Sequence, residues 1–186
     1  MSKAQEIRRQ FRLLMNGVTA QSLRKKGMDY HVNWGASLGH LRELAGEYEK
    51  DYDTAAELWN DDVRESKIMA TLLMPVEQFP MELATQWIKQ THTQEIAEIA
   101  SMNLYQHLPY AKEMALRLIQ DKDAMQQLHG YSIMSRLLTR NVTLTDEEDK
   151  LIDDYADKTV NRQEASLSLR HAAYNTLIKK ENNRIE

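Results

Sequence analysis

Gln94 and Glu98 stand four residues apart in a stretch free of helix breakers, so on a helix they share one face, which Ser101 and Tyr105 continue. A carboxylate held there, opposite the apolar stripe of Ile96, Ala100 and Leu104, could stabilise a developing positive charge electrostatically. The same residues also read as a solvated face. His171, Tyr174, Asn175 and Ile178 share a face of a later helix, where Tyr174 offers either an aromatic contact or a packing group. Arg136, Arg140 and Arg170 could reach phosphates, or could only keep the surface soluble. Arg64 and Lys67 follow Trp59 at helical spacings, and an ion pair of Arg64 with a neighbouring carboxylate competes with a contact to a phosphate. His92, Glu95 and Glu98 recur every third residue, which brings ligands together on a helix. A carboxylate-bridged metal site needs a matching Glu-x-x-His on another helix, and the sequence has none. No metal and no cofactor is expected. A Gly-rich phosphate loop and His-Glu-x-x-His are also missing, so nucleotide hydrolysis and zinc peptidase chemistry have no support.

The elements that must carry these groups are helices. With three prolines and six glycines in 186 residues, and few β-branched runs, long helices satisfy the backbone most cheaply. Ile7, Phe11, Leu14 and Val18 recur at helical spacing from Ala4 to about Lys26, with Gly27 as a stop. The stretch 28–35 is irregular, and helical spacing resumes at Leu38, Leu41, Leu44 and Ala45. Helices are predicted around Thr54 to Trp59, from Val63 to Met74 before Pro75, and from Met81 to Gln90 beside Pro80. Others run from Gln94 to His107 and from Pro109 to about Gln120. Asp123 caps one ending near Thr139, Thr145 and Glu148 have capping-box spacing, and the last runs from about Glu164 to Lys180. No strand is expected. Trp34, Trp59 and Trp87 fill space between helices, and the ten methionines pack its irregular gaps.

A repeat runs through the apolar faces. It begins at Met69-Ala70-Thr71-Leu72-Leu73 and returns at Ala100-Ser101-Met102-Asn103-Leu104. Gly130-Tyr131-Ser132-Ile133-Met134 and Ala173-Tyr174-Asn175-Thr176-Leu177 follow at offsets that suit helix pairs. Small residues near the start of these units let helices approach closely. One pair cannot bury its stripe alone, so the fold class is an all-α, HEAT-like helical-repeat solenoid, with a generic helical bundle as the alternative. No long linker interrupts it, and a single domain over 1–186 is expected.

At 42% hydrophobic and 28% charged, the chain belongs with globular rather than disordered proteins. It has no cysteine, so disulfides and thiol chemistry are excluded. No stretch approaches the roughly 20 apolar residues of a membrane span, and charge in MSKAQEIRRQF stands where a secretion signal needs an apolar segment. A cytoplasmic location with no membrane partner is expected. The net charge of −4 does not suggest a protein that coats nucleic acid, but its distribution leaves local basic faces. Lys3, Arg8, Arg9, Arg12, Arg24, Lys25 and Lys26 make the N-terminus basic, and an acidic run from Asp146 to Asp157 precedes Lys158, Arg162, Arg170, Lys179, Lys180 and Arg184.

Two stretches carry a family resemblance. The first is Tyr30-His31-Val32-Asn33-Trp34-Gly35-Ala36-Ser37 followed by Leu41-Arg42-Glu43-Leu44-Ala45. The second is Ala55-Ala56-Glu57-Leu58-Trp59-Asn60, then Val63-Arg64-Glu65-Ser66-Lys67-Ile68-Met69-Ala70, with its Leu-Trp-x4-Arg-Glu pattern. Together they resemble the DNA alkylation repair (AlkD-like) family, over about 28–180, with 1–27 as an added basic N-terminal helix and the chain as a shortened member. The resemblance implies a concave surface that holds duplex DNA, and in active members the excision of cationic N3- or N7-alkylated purines. Such a base is a good leaving group. A carboxylate stabilises the oxocarbenium-like sugar it leaves, and aromatic faces favour the cationic base.

The family's Trp-x3-Asp arrangement and later Trp match Gln94, Glu98 and Asn175 here, while its intervening basic position falls on Leu128 or His129, depending on the alignment. On that transfer Glu98 is the catalytic carboxylate, and Gln94, His129, Tyr131, Arg136, Arg170, His171 and Asn175 are the DNA contacts. Gln94 and Asn175 have no aromatic face, so weak or absent excision is expected. The competing expectation is a non-enzymatic scaffold whose surface binds a protein or a second copy of the chain.

Overall fold

The computed structural model describes residues 2–28 and 30–185, the side chains of 184 and 185 excepted. Eleven α-helices and two 3-10 turns make up the regular structure of these residues, with no strand and one isolated parallel bridge between Val32 and Val63. They gather into two compact units, Met1–Pro80 and Met81–Glu186, although no linker composition marks the division in the sequence.

The first unit holds α1 (Lys3–Gln10), α2 (Gly17–Lys25), α3 (Leu38–Ala45), α4 (Tyr52–Trp59) and α5 (Arg64–Leu73). The single helix expected from Ala4 to Lys26 is two. Asn16 breaks it: its side chain accepts from Thr19 N at 3.0 Å to cap α2, and its own N–H donates to the Trp34 carbonyl at 2.8 Å. Ile7 and Phe11 are buried as expected, but Val18 is exposed. Gly35 has φ +74°, and a Cβ there would lie 2.1 Å from the Asn16 carbonyl oxygen, so this crossing admits only glycine. The irregular stretch expected over 28–35 is seen, residue 29 lying outside the described residues.

Helix α5 packs on α3 and α4. Its fully buried Glu65 accepts from Trp34 N (3.1 Å) and Ala36 N (3.2 Å), and pairs with Arg64 Nη1 at 3.0 Å. Arg64 Nη1 also donates to the Ala36 carbonyl at 2.8 Å. Arg64 is therefore an interior ion-pair residue. Lys67 places its ammonium 4.5 Å from the Trp59 ring centroid and donates to the Trp59 carbonyl. Trp59 and Trp87 are core residues, and Trp34 is half-buried.

The second unit holds α6 (Met81–Lys89), α7 (Gln94–Asn103), α8 (Ala111–Ile119), α9 (Ala124–Thr139), α10 (Asp146–Asn161) and α11 (Leu167–Ile185). Helix α9 lies between α7 and α11, while α8 packs on α9 and α10, and α10 on α11. One layer is thus α7, α9, α11. The repeat register predicted from the sequence is buried at Met69, Ala70, Ala100, Tyr131, Met134 and Ala173, but in the fourth unit Tyr174 and Asn175 are exposed. At Gly130 a Cβ would lie 2.6 Å from Ile119 N, so α8 and α9 touch backbone to backbone. Asp123 caps α9, and Thr145 with Glu148 forms the expected capping box on α10, whose first turn carries four acidic residues against the helix dipole. The helix expected to run to His107 ends at Asn103 and gives way to a 3-10 turn at Tyr105–His107 that buries Leu104 and Tyr105. Among the described residues no helix is long and apolar enough to cross a membrane.

Candidate functional site

Helix α7 starts at Thr93, whose side chain accepts from Ile96 N at 3.4 Å. Its apolar side, Ile96, Ala97, Ile99 and Ala100, goes inward and leaves Glu98 exposed and Gln94 partly so. Gln94 Nε2 donates to Glu98 Oε1 at 2.7 Å, which fixes that carboxylate oxygen. Ser101 and Tyr105 do not continue the face. Both are fully buried, and the Ser101 hydroxyl donates to the Ala97 carbonyl at 2.7 Å.

Gln94 and Glu98 form one wall of an open groove of about 370 Å³. Ser132, Ser135 and Arg136 of α9 line its floor, and His171, Asn175 and Lys179, spaced by four on α11, line the other side. Lys179 Nζ donates to Thr139 Oγ1 at 2.8 Å and to the Ser135 carbonyl at 3.4 Å. Partial burial lowers the Lys179 pKa, and the nearby Arg136 charge lowers it further. The side chains of Arg136, His171 and Asn175 make no hydrogen bond or ion pair among the described residues. The groove therefore sets an arginine, a lysine and an imidazole against one carboxylate, and several of its donors face open space.

Five of the residues proposed from the sequence meet here: Gln94, Glu98, Arg136, His171 and Asn175. Three do not. His129 is fully buried, its ring 5.8 Å from that of Tyr105, with neither nitrogen hydrogen-bonded. Burial pushes its pKa down to about 3, so at neutral pH it is an uncharged core residue. Tyr131 is fully buried too. Its hydroxyl bonds Thr159 Oγ1 at 2.9 Å, and burial pushes its pKa up to about 12. Arg170 donates through Nε to the Val160 carbonyl at 2.9 Å, which ties it to the end of α10 and away from the groove lining. Tyr174 is 53% exposed but does not line the groove, and Arg140 donates to the Gln106 carbonyl at 2.9 Å. Lys179 and the serines were missed as site residues. The interval of four from His171 through Asn175 was the available signal for Lys179.

A solved structure described as "A new family of proteins related to the HEAT-like repeat DNA glycosylases with affinity for branched DNA structures" superposes with a TM-score of 0.87. The superposition covers 99% of this chain and 78% of that one, at 12% identity, so the likeness is one of fold. No curated protein matches the sequence. The family model for the DNA alkylation repair enzyme matches residues 7–165. With most of its length matched and a HEAT-like fold around a polar groove, the chain belongs to the DNA alkylation repair enzyme family.

Proposed function

We propose that this protein binds duplex DNA through the α7–α9–α11 groove and has little or no capacity to excise alkylated bases. The observation that carries the reading is the meeting of Arg136, Lys179 and His171 around a single carboxylate. Two like charges held close together repel, and a phosphate between them removes that repulsion while gaining charge-assisted hydrogen bonds. Family membership supports DNA as the source of the phosphate. The solved relative's described affinity for branched DNA supports it too.

Glu98 keeps the group that would stabilise an oxocarbenium-like sugar, and Gln94 orients it. The groove lining has no Trp, Tyr or Phe to stack on a cationic purine, so the attraction that favours a damaged base over a normal one is missing. Binding without efficient excision follows.

The test is to incubate the protein with duplex DNA carrying 7-methylguanine and follow free base against a no-protein control, with a parallel binding titration at low salt. Binding with base release near background is expected. Rapid release would refute the weak-excision part, and no binding even at low salt would move the assignment to a protein-interaction scaffold.

A further inference from the structure

Six large apolar side chains are exposed among the described residues, and three of them fall within six consecutive positions: Leu13 (80% exposed), Met15 (62%) and Val18 (80%). They occupy the turn between α1 and α2 and the first residues of α2. The turn is held in place. Leu13 N donates to the Gln10 carbonyl at 2.9 Å, Leu14 N to the Phe11 carbonyl at 3.2 Å, and Asn16 N to the Trp34 carbonyl at 2.8 Å. Nothing lies within 4 Å of where a Cβ on Gly17 would sit, so the space beside Gly17 is open.

The charge around this tip has one sign. From Ile7 to Met28 there is no Asp or Glu, although the whole chain carries −4. Arg8 is engaged by Asp61 and Glu57. Arg9, Arg12, Arg24, Lys25 and Lys26 are exposed and make no ion pair among the described residues. The Arg12 guanidinium lies 5.8 Å from the Trp34 ring centroid, which holds it beside the turn.

Apolar side chains flanked by unpaired cations suit a partner that is polyanionic outside and apolar inside. A nucleic acid with an unstacked base step is one, and an anionic bilayer is another. The two make different demands. A bilayer takes a continuous apolar face lying in its plane, whereas Phe11 is buried and Leu14 partly buried here, leaving separate protruding side chains. Separate side chains are what wedge-type nucleic-acid contacts insert between bases, with cations on the adjacent phosphates.

We infer that the 11–18 turn is a second DNA contact, in which Leu13, Met15 and Val18 enter an unstacked base step while Arg9 and Arg12 hold the flanking phosphates. It rests on the DNA-binding reading above but not on the groove. The experiment uses the full chain and duplexes with 2-aminopurine placed at a nick, where unstacking brightens it. The wild type raises the fluorescence at the nick, and L13S/M15S/V18S lowers that rise by about half or more. Affinity for a continuous duplex changes by less than about twofold in the triple variant, whereas R9Q/R12Q weakens binding to both DNAs. All three apolar residues are exposed, so unchanged melting curves show that folding is not the cause. An equal fluorescence rise in the triple variant overturns the inference alone. Failure of the wild type to bind any DNA at low salt overturns it together with the DNA reading. Binding to phosphatidylserine vesicles that only the triple variant loses, with the nick signal unchanged, reassigns the turn to a membrane surface.

Discussion

The Glu98 carboxylate accepts a hydrogen bond from Gln94 and is otherwise exposed to the groove. Glu98→Gln keeps its size and removes its charge, so any residual base release is expected to slow by about tenfold, because the developing sugar cation loses its counter-charge. Stability should move by less than about 0.5 kcal/mol, as for other exposed changes, and DNA affinity should hold. Equal release rates in the two proteins would remove Glu98 from the chemistry. His129 leads to a different measurement. Its folded pKa, about 3, lies below the ordinary value of 6.5, so the unfolded chain takes up a proton that the folded one refuses. Its contribution to stability is intact above pH 6.5 and is lost as pH falls towards 3, at up to about 1.4 kcal/mol per pH unit. His129→Phe is expected to flatten that part of the stability–pH curve, read from denaturant midpoints at several pH values. Polarity and the interval of four made Gln94, Glu98, His171 and Asn175 legible as groove residues. His129 and Tyr131, taken as contacts by transfer from the family pattern, are core residues instead. Helical spacing says which side of a helix a residue takes, but not whether Tyr105 or Thr159 covers that side.

Helix α9 meets α8 at Gly130, where the atoms nearest an added Cβ are all backbone: Ile119 N at 2.6 Å, Leu118 C at 2.9 Å and Ala115 O at 3.0 Å. Alanine is the better helix former by about 1 kcal/mol. It would nevertheless push two helices apart in a packed layer, and overpacking costs about 1–3 kcal/mol. The second effect wins, so Gly130→Ala should lower the melting temperature by a few degrees, whereas a gain in stability would show that α8 can move freely. At the start of α10, Thr145→Ala removes the acceptor for Glu148 N (3.2 Å) and should cost about 1 kcal/mol in a denaturant titration. Both capping signals could be read from the sequence because they are local. The break at Asn16 could not, since part of what holds it is the Trp34 carbonyl, eighteen residues away and visible only after folding. The end of α7 at Asn103 is of the same kind. Leu104 and Tyr105 are helix-compatible residues, drawn out of the helix by the burial they gain in the 3-10 turn.

For the whole molecule, net charge is a poor guide to what it binds. Some of its cations are paired within the fold, Lys3 with Asp51, Arg8 with Glu57 and Asp61, Lys112 with Glu148, and buried Lys180 with Asp149 and Asp153, while others such as Arg9 and Arg12 make no ion pair among the described residues. A total of −4 therefore coexists with a groove whose Arg136 and Lys179 have no carboxylate partner among the described residues. Long-range attraction to DNA should be weak, and affinity should come from a few local phosphate contacts. Each phosphate neutralised on duplex DNA steepens the dependence of log affinity on log salt by about 0.9. Arg136→Gln with Lys179→Gln removes two such contacts, so the slope should become shallower by up to about 2, with affinity at low salt falling at least about tenfold. Arg170 supplies the internal comparison. It is tied to the Val160 carbonyl outside the groove, so Arg170→Gln should lower stability while leaving the slope unchanged. Titrations of the three proteins against one duplex at several salt concentrations separate the cases. A slope that moves with Arg170 and not with the groove pair would place the phosphates on another surface, and the α7–α9–α11 groove would lose its assignment as the DNA site.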